Sequence, residues 1–182
     1  MVNPEAIPEE ALRNTAIHEI GHALVRYKLY KTPGIITITI NPEGAGTLGY
    51  VKHKIAAGEY VRTKSILLNQ IKVSLAGMAA EEIFCGEFAN GNTSDLEKAT
   101  AIAKNMITRY GMSRLGFGQI MELEGEMAVK VQEEINSILD ECYKETCNII
   151  NENKEQMTKV IDYLLKQKEI SEDEFINVFN KK

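Results

Sequence analysis

Residues 13–30 read RNTAIHEIGHALVRYKLY, and this stretch decides how the chain is read. Ala16, Ile17, Ile20, Ala23, Leu24 and Tyr27 recur at three- and four-residue steps, the period of a helix with one apolar face. Pro8-Glu9-Glu10 suits the opening turn. Proline is tolerated at that position, and acids favour the positive end of the helix dipole. Thr32-Pro33-Gly34 ends the segment. Within this helix lies His18-Glu19-Ile20-Gly21-His22. Residues four apart project from one face, so both imidazoles can share one metal ion. Zinc suits nitrogen ligands in a tetrahedral site. Glu19, one position on from His18, points beside the metal rather than at it. There it can take a proton from a water acidified by zinc and later return one to a leaving amine. The chain has three histidines, and two of them fall in this motif. The competing reading is an amphipathic helix with two surface histidines, which does not explain the strong helical setting that H-E-x-x-H requires.

A catalytic zinc needs a third protein ligand and one open position. Spacing leaves Glu81, Glu82, Cys85 and Asp95 as candidates. Asp95 stands where a helix opens after a loop rich in Gly and Asn; a helix-terminal acid also has an ordinary role against the dipole.

Outward from the motif, IITITI (residues 35–40) is β-branched and reads as a strand. NPEGAG turns the chain, and TLGYVKH (residues 47–53) reads as its hairpin partner. Residues 58–85 return to helical period and finish in the small-residue run SLAGMAAEEIF, which lets another element pack closely. A loop follows over residues 86–91. Thr93 or Ser94 then caps a helix over residues 95–110. Gly111 and Gly116 punctuate an irregular stretch in which GFGQI reads as extended. Residues 124–179 read as two or three helices, the last opened by the capping box Ser171-x-x-Glu174.

Composition limits the function classes. The chain has 182 residues, 44% apolar and 26% charged, with a formal net charge of -5. That fits a single globular domain and lacks the concentrated basic face a nucleic-acid binder needs. Cys85, Cys142 and Cys147 are odd in number and irregular in spacing, so they read as buried or half-buried thiols in a reducing cytoplasm. The N-terminal residues lack the pattern of a signal peptide, and no run is long enough to span a membrane. No G-x-x-x-x-G-K-[ST] segment is present, so there is no sign of an ATPase engine.

Taken together, TAIHEIGHALV, SLAGMAAEEIFCG and NTSDLEKATAIAKNMITRYGMSRLG resemble, in order and separation, the peptidase domain of the FtsH-type ATP-dependent zinc proteases. The closing KEISEDEF is similar to that family's last helix. The resemblance runs from about Arg13 to Phe179. It implies a mainly α fold with a small β-hairpin, a zincin-type active helix and a helical C-terminal subdomain. Residues 1–182 would form one peptidase domain, with an active-site part over about 9–122 and a helical part over about 123–182. It implies that His18, His22 and Asp95 hold Zn2+, that Glu19 is the catalytic base, and that Glu81 orients a ligand histidine. Glu81 has an equally ordinary reading as one half of a surface pair. The strand Thr47-Leu48-Gly49-Tyr50-Val51 resembles the family's edge strand beside the metal, able to pair with an extended substrate.

The implied reaction is zinc-dependent endopeptidase cleavage of unfolded or flexible polypeptide. The implied assembly is a homo-oligomer, hexameric in that family, or a complex with an ATPase on another chain. Family members carry a membrane anchor and an ATPase module ahead of the peptidase, and neither precedes the motif here. Ile20 stands where the family commonly has alanine. His53 is the remaining histidine; it could face an oxyanion, although a lone histidine is more often plain surface. Two rival functions keep part of this reading: a catalytically silent adaptor or assembly factor of the same fold, and a zinc hydrolase of a non-peptide amide.

Overall fold

A computed structural model describes residues 7–42, 48–54 and 61–181. The elements run in the order α1 (Glu9–Leu29), β1 (Ile35–Thr39), β2 (Tyr50–His53), α2 (Lys64–Cys85), a 3-10 turn (Asn90–Asn92), α3 (Thr93–Thr108), α4 (Gly125–Glu152), α5 (Lys154–Gln167), β3 (Glu169–Ile170) and α6 (Glu172–Asn180). The fold is mainly α with a small sheet, as the sequence implies.

α1 is the centre. Ile17, Ile20, Ala23 and Leu24 are buried in a cluster that also draws on Ile38 of β1, Ile150 of α4, Val160, Ile161 and Leu164 of α5, and Phe175 of α6. Tyr27 sits edge-on to Phe175 and Phe179, with ring centroids 5.6 and 5.5 Å away. α2 lies against α1 through Ala76, Ala79 and Ala80, all fully buried. Small side chains there let the two helices approach closely, as the SLAGMAAEEIF run suggests. The other face of α2 carries Leu67, Ile71 and Leu75 into a second cluster with Ala99, Ala103 and Met106 of α3 and Val131, Ile135 and Ile138 of α4. α2 is therefore shared by both cores, and the C-terminal helices contribute to each.

The sheet has order β2-β1-β3, all antiparallel. Ile38 stands opposite Val51 on one side and Ile170 on the other. β3 has two residues, too few to show the alternation by which a strand is read from sequence, and so it went unforeseen.

Other expectations shift at their edges. α2 begins at Lys64, where the Thr63 side chain accepts from the Ile66 N–H, so residues 61–63 precede the helix. Thr93 and Ser94 do not cap α3; they lie in its first turn, after Asn92. A 3-10 turn leads directly into α3, so the start moves upstream. GFGQI forms no strand. A single bridge, Ser113 to Gly116, tightens this segment, and Arg114 ties it to Glu134 and Ser137 of α4. Three helices follow, and the capping box of Ser171 and Glu174 forms in both directions. Cys142 is buried and Cys147 half-buried, but Cys85 is exposed at the end of α2, and all three are free thiols. No helix among the described residues is long and apolar enough to cross a membrane.

Candidate active site

The face of α1 opposite the core opens into a cleft of about 740 Å³. His18 and His22 stand on this face one turn apart, their rings edge-on with centroids 4.6 Å apart. Their Nε2 atoms are 3.0 Å from each other. Asp95, in the first turn of α3, brings Oδ2 to 3.5 Å from His18 Nε2 and 3.3 Å from His22 Nε2. Among the described residues these are the three whose ligand-type atoms gather within 4.8 Å of one another.

The far sides of both rings are occupied. His22 Nδ1 lies 2.7 Å from the carbonyl of Val73. A carbonyl only accepts, so Nδ1 donates, and Nε2 faces the cleft. His18 Nδ1 lies 2.7 Å from Glu81 Oε1 and donates likewise. Glu81 is itself held, because Oε2 accepts from the Ala89 N–H at 2.7 Å and from Asn92 Nδ2 at 3.1 Å. The other oxygen of Asp95, Oδ1, accepts from Lys98 Nζ at 3.2 Å. Two imidazole nitrogens and one carboxylate oxygen thus converge with separations of 3.0–3.5 Å. Donors about 2.0–2.1 Å from a tetrahedral zinc lie roughly 3.3 Å apart, so the donor set and its spacing fit that ion.

The titrating groups of the cleft act strongly on one another. Burial alone would pull the His18 imidazole down, but its hydrogen bonds to Asp95 and Glu81 outweigh that and push it up to about 9. Burial works to raise Asp95, yet the two histidines hold its carboxyl well below the usual range. Burial likewise opposes ionisation of Glu81, and the bonds from His18 and Ala89 overcome it. Without an ion, His18 keeps the proton that relieves the carboxylates. Glu19 differs. It is buried at 8% exposure and lines the cleft. Burial raises its carboxyl, and the nearby imidazoles only partly offset this.

The remaining sequence candidates separate cleanly. Glu82 points away and accepts from the Tyr143 hydroxyl. Cys85 lies exposed with its Sγ on Asn14. Leu48, Gly49, Tyr50 and Val51 line one wall of the cleft. Only Tyr50 and Val51 belong to β2; Leu48 and Gly49 precede it, and Thr47 lies outside the described residues. β2 has β1 on one side only among the described strands, so it is a sheet edge. His53 lies at the exposed end of β2 but also lines the cleft, with Nδ1 3.3 Å from the Lys54 carbonyl.

Three features were not foreseen. The Val73 carbonyl has no sequence signature. Asn92 stands three residues before Asp95 in a loop that reads as generic. Gly77 is the most telling. A Cβ at that position would lie 2.3–2.6 Å from the His18 ring, so only glycine leaves room for the imidazole. Its signal was present in the small-residue run of α2, four residues ahead of Glu81.

A sequence profile described as peptidase family M41 matches residues 5–178. The ATP-dependent zinc metalloprotease FtsH of Lancefieldella parvula is 32% identical over 180 residues, covering 91% of this chain and 28% of that protein. ATP-dependent zinc metalloprotease FtsH 2 of Phytoplasma mali is 38% identical over 175 residues, 92% of this chain and 25% of that protein. FtsH of Thermotoga maritima is 30% identical over 185 residues, 92% and 30%. The chain spans about a quarter to a third of the length of these relatives.

Proposed function

The chain belongs to peptidase family M41, and from that premise we propose that it is a zinc-dependent endopeptidase acting on unfolded or flexible polypeptides. In this reading His18, His22 and Asp95 hold the ion. Glu81, steadied by Asn92 and the Ala89 amide, fixes the tautomer of His18. When bound, the ion supplies a Lewis acid that acidifies water and polarises a carbonyl. Glu19 accepts a proton from the attacking water at its carboxylate and delivers it to the leaving amine nitrogen. A raised carboxyl pKa suits that exchange, because a base that must also act as an acid works best near the operating pH. β2 offers open backbone groups along the cleft wall, where an extended substrate can add as a further strand with little demand on its sequence.

One observation carries this reading. Both Nδ1 atoms are engaged on their far sides, leaving the two Nε2 atoms and Asp95 Oδ2 aimed at one point. A cation bound there would take the place of the proton that His18 holds. The relatives' names, zinc metalloproteases, agree with it. We expect these 182 residues by themselves to act on casein-like chains and not on stably folded proteins. An assembly into a homo-oligomer, or onto an ATPase carried by another chain, belongs to the same proposal.

Metal analysis beside a casein assay tests it. Wild type should hold about one zinc and digest casein, and Asp95→Ala should lose most of both. A wild type that holds zinc but digests nothing would favour the silent adaptor instead.

A further inference from the structure

Arg26 is a buried charge that the chemistry above does not use. It lies one turn beyond His22, on the same stripe of α1 as both histidines. The residue is 3% exposed. Its Nε donates to the Pro33 carbonyl at 2.6 Å, and Nη2 donates to the Lys54 carbonyl at 3.0 Å. Its Cζ lies 4.7 Å from the centre of the Tyr30 ring. Pro33 stands just before β1, and Lys54 just after β2. The Lys54 amide also donates to the Gly34 carbonyl at 2.8 Å. One guanidinium therefore grips both chains at the open end of the hairpin.

The opposite end of β2 meets α1 differently. A Cβ on Gly49 would lie 2.7 Å from Thr15 Cγ2 and 3.2 Å from Glu19 Cγ, so the backbone of Gly49 rests directly against the helix. Two seats thus fix the strand: Gly49 against Thr15 and Glu19, and Lys54 against Arg26. The eleven-residue step from Thr15 to Arg26 rises about 16 Å along a helix. The five-residue step from Gly49 to Lys54 advances about 16 Å along a strand. The strand thus follows the helix in the same direction, with His22 between the two seats. A one-residue slip of β2 would move every backbone donor and acceptor by half a pleat relative to the histidines.

We propose that Arg26 is a positioning residue that locks the register of β2 against the helix carrying His18, Glu19 and His22, and so sets where a strand-paired substrate lies in the cleft. A buried charge is a costly way to fill space. What arginine adds is a planar fork of donors able to hold two carbonyls at a fixed spacing, which lysine lacks. The substrate part of this inference rests on the endopeptidase reading; the clamp itself does not.

The test uses the zinc-loaded chain with Arg26→Met and Arg26→Lys. Amide hydrogen exchange over residues 51–54 should quicken by about tenfold or more in Arg26→Met, while core amides of α1 and α2 keep their protection. Two peptides with the same scissile bond then separate positioning from plain stability. One is long enough to lie along β2, and the other spans only a few residues. In both variants the long peptide should lose its advantage in kcat/KM by about fivefold or more, mostly through KM, with zinc affinity unchanged. Unchanged exchange at residues 51–54, or equal losses for both peptides, would overturn the proposal. If Arg26→Met fails to fold, Arg26→Lys alone decides it. If the wild type cleaves neither peptide, the endopeptidase reading fails, and the exchange measurement still judges the clamp.

Discussion

α1 and the C-terminal helices α4–α6 are built by opposite rules. α4 buries Val131, Ile135, Ile138, Cys142, Thr146 and Ile150 at three- and four-residue steps and leaves most of its far side to solvent; its one buried carboxylate, Glu134, is paired with Arg114. α5 and α6 repeat the pattern with Met157, Val160, Ile161 and Leu164, then Phe175 and Phe179. α1 is closed in on both sides, by the core and by the cleft wall. It buries Glu19 and Arg26 among its apolar residues. Burying such groups costs stability unless each finds a partner. Arg26 has two carbonyls, while Glu19 is left with a raised pKa. On the proposed function, the difference marks where this chain gives up stability for chemistry and where it recovers it. Polar changes on α1 should therefore alter activity more than folding, and apolar changes on α4–α6 the reverse.

The largest effect expected is at Glu19. The amide of Glu19→Gln keeps the shape but cannot take a proton, so casein hydrolysis should fall by about 10³-fold. Zinc content should stay at the wild-type level. Thermal stability should hold or rise slightly, because a buried carboxylate has been neutralised. A variant within tenfold of wild-type activity would remove Glu19 from the mechanism and blur the contrast between the two regions.

Next comes the converse. Ile150 of α4 is fully buried in the cluster around α1. Ile150→Ala should cost about 3 kcal/mol, read as a shift in the urea midpoint. Zinc uptake per folded molecule should not change. Weakened zinc binding at temperatures where the variant is fully folded would mean that the C-terminal helices also shape the site.

This contrast also explains what the sequence could reveal. α1 was legible because its apolar period and H-E-x-x-H coincide, and α6 because Ser171-x-x-Glu174 is a local signal that needs no tertiary partner. The convergence of Asp95 on His18 and His22 joins residues more than seventy positions apart, and spacing left it level with Glu81, Glu82 and Cys85. What separates them is the packing of α3 against α2, which is a tertiary fact. The Val73 carbonyl and the two-residue β3 were illegible for a related reason: backbone groups and very short strands carry no side-chain pattern. Arg26 was read only as part of a helical run, because the carbonyls it holds lie seven and twenty-eight residues away.

A smaller effect should appear in the metal-free protein as pH changes. His18 is pushed up to about 9, above the ordinary value of 6.5. A group whose folded pKa is raised stabilises the fold fully below its unfolded value and loses that contribution as pH climbs through the folded one. Metal-free protein should therefore lose stability between about pH 6.5 and 9, on the order of 2 kcal/mol, since the side chain keeps slight exposure. Asp95 reports the same interaction from its other side, so the two shifts are not added. Bound zinc would displace the proton, and saturated protein should show no such decline in this window. Urea titrations at several pH values, with chelator and with zinc, would read this directly. A parallel decline in both forms would place the titrating group outside the site.

The smallest effect lies at the far end of the chain and tests the contrast from its quiet side. Ser171 Oγ accepts from the Glu174 N–H at 3.4 Å, and Glu174 Oε2 accepts from the Ser171 N–H at 2.9 Å. Ser171→Ala breaks half of that box and should cost about 1 kcal/mol. α6 has nine residues, too few to persist by itself, so its cap and the packing of Phe175 and Phe179 on Tyr27 carry it together. Tyr27 sits on α1 five residues past His22, and α6 meets that helix on its core side, through Phe175 and Phe179 against Tyr27 and through Lys28 over the Phe179 ring. Zinc affinity and casein turnover should therefore stay within twofold of wild type while the melting temperature drops by a few degrees. If turnover fell in step with stability, the core side and the cleft side of α1 would be coupled, and the division of labour between the two regions would have to be redrawn.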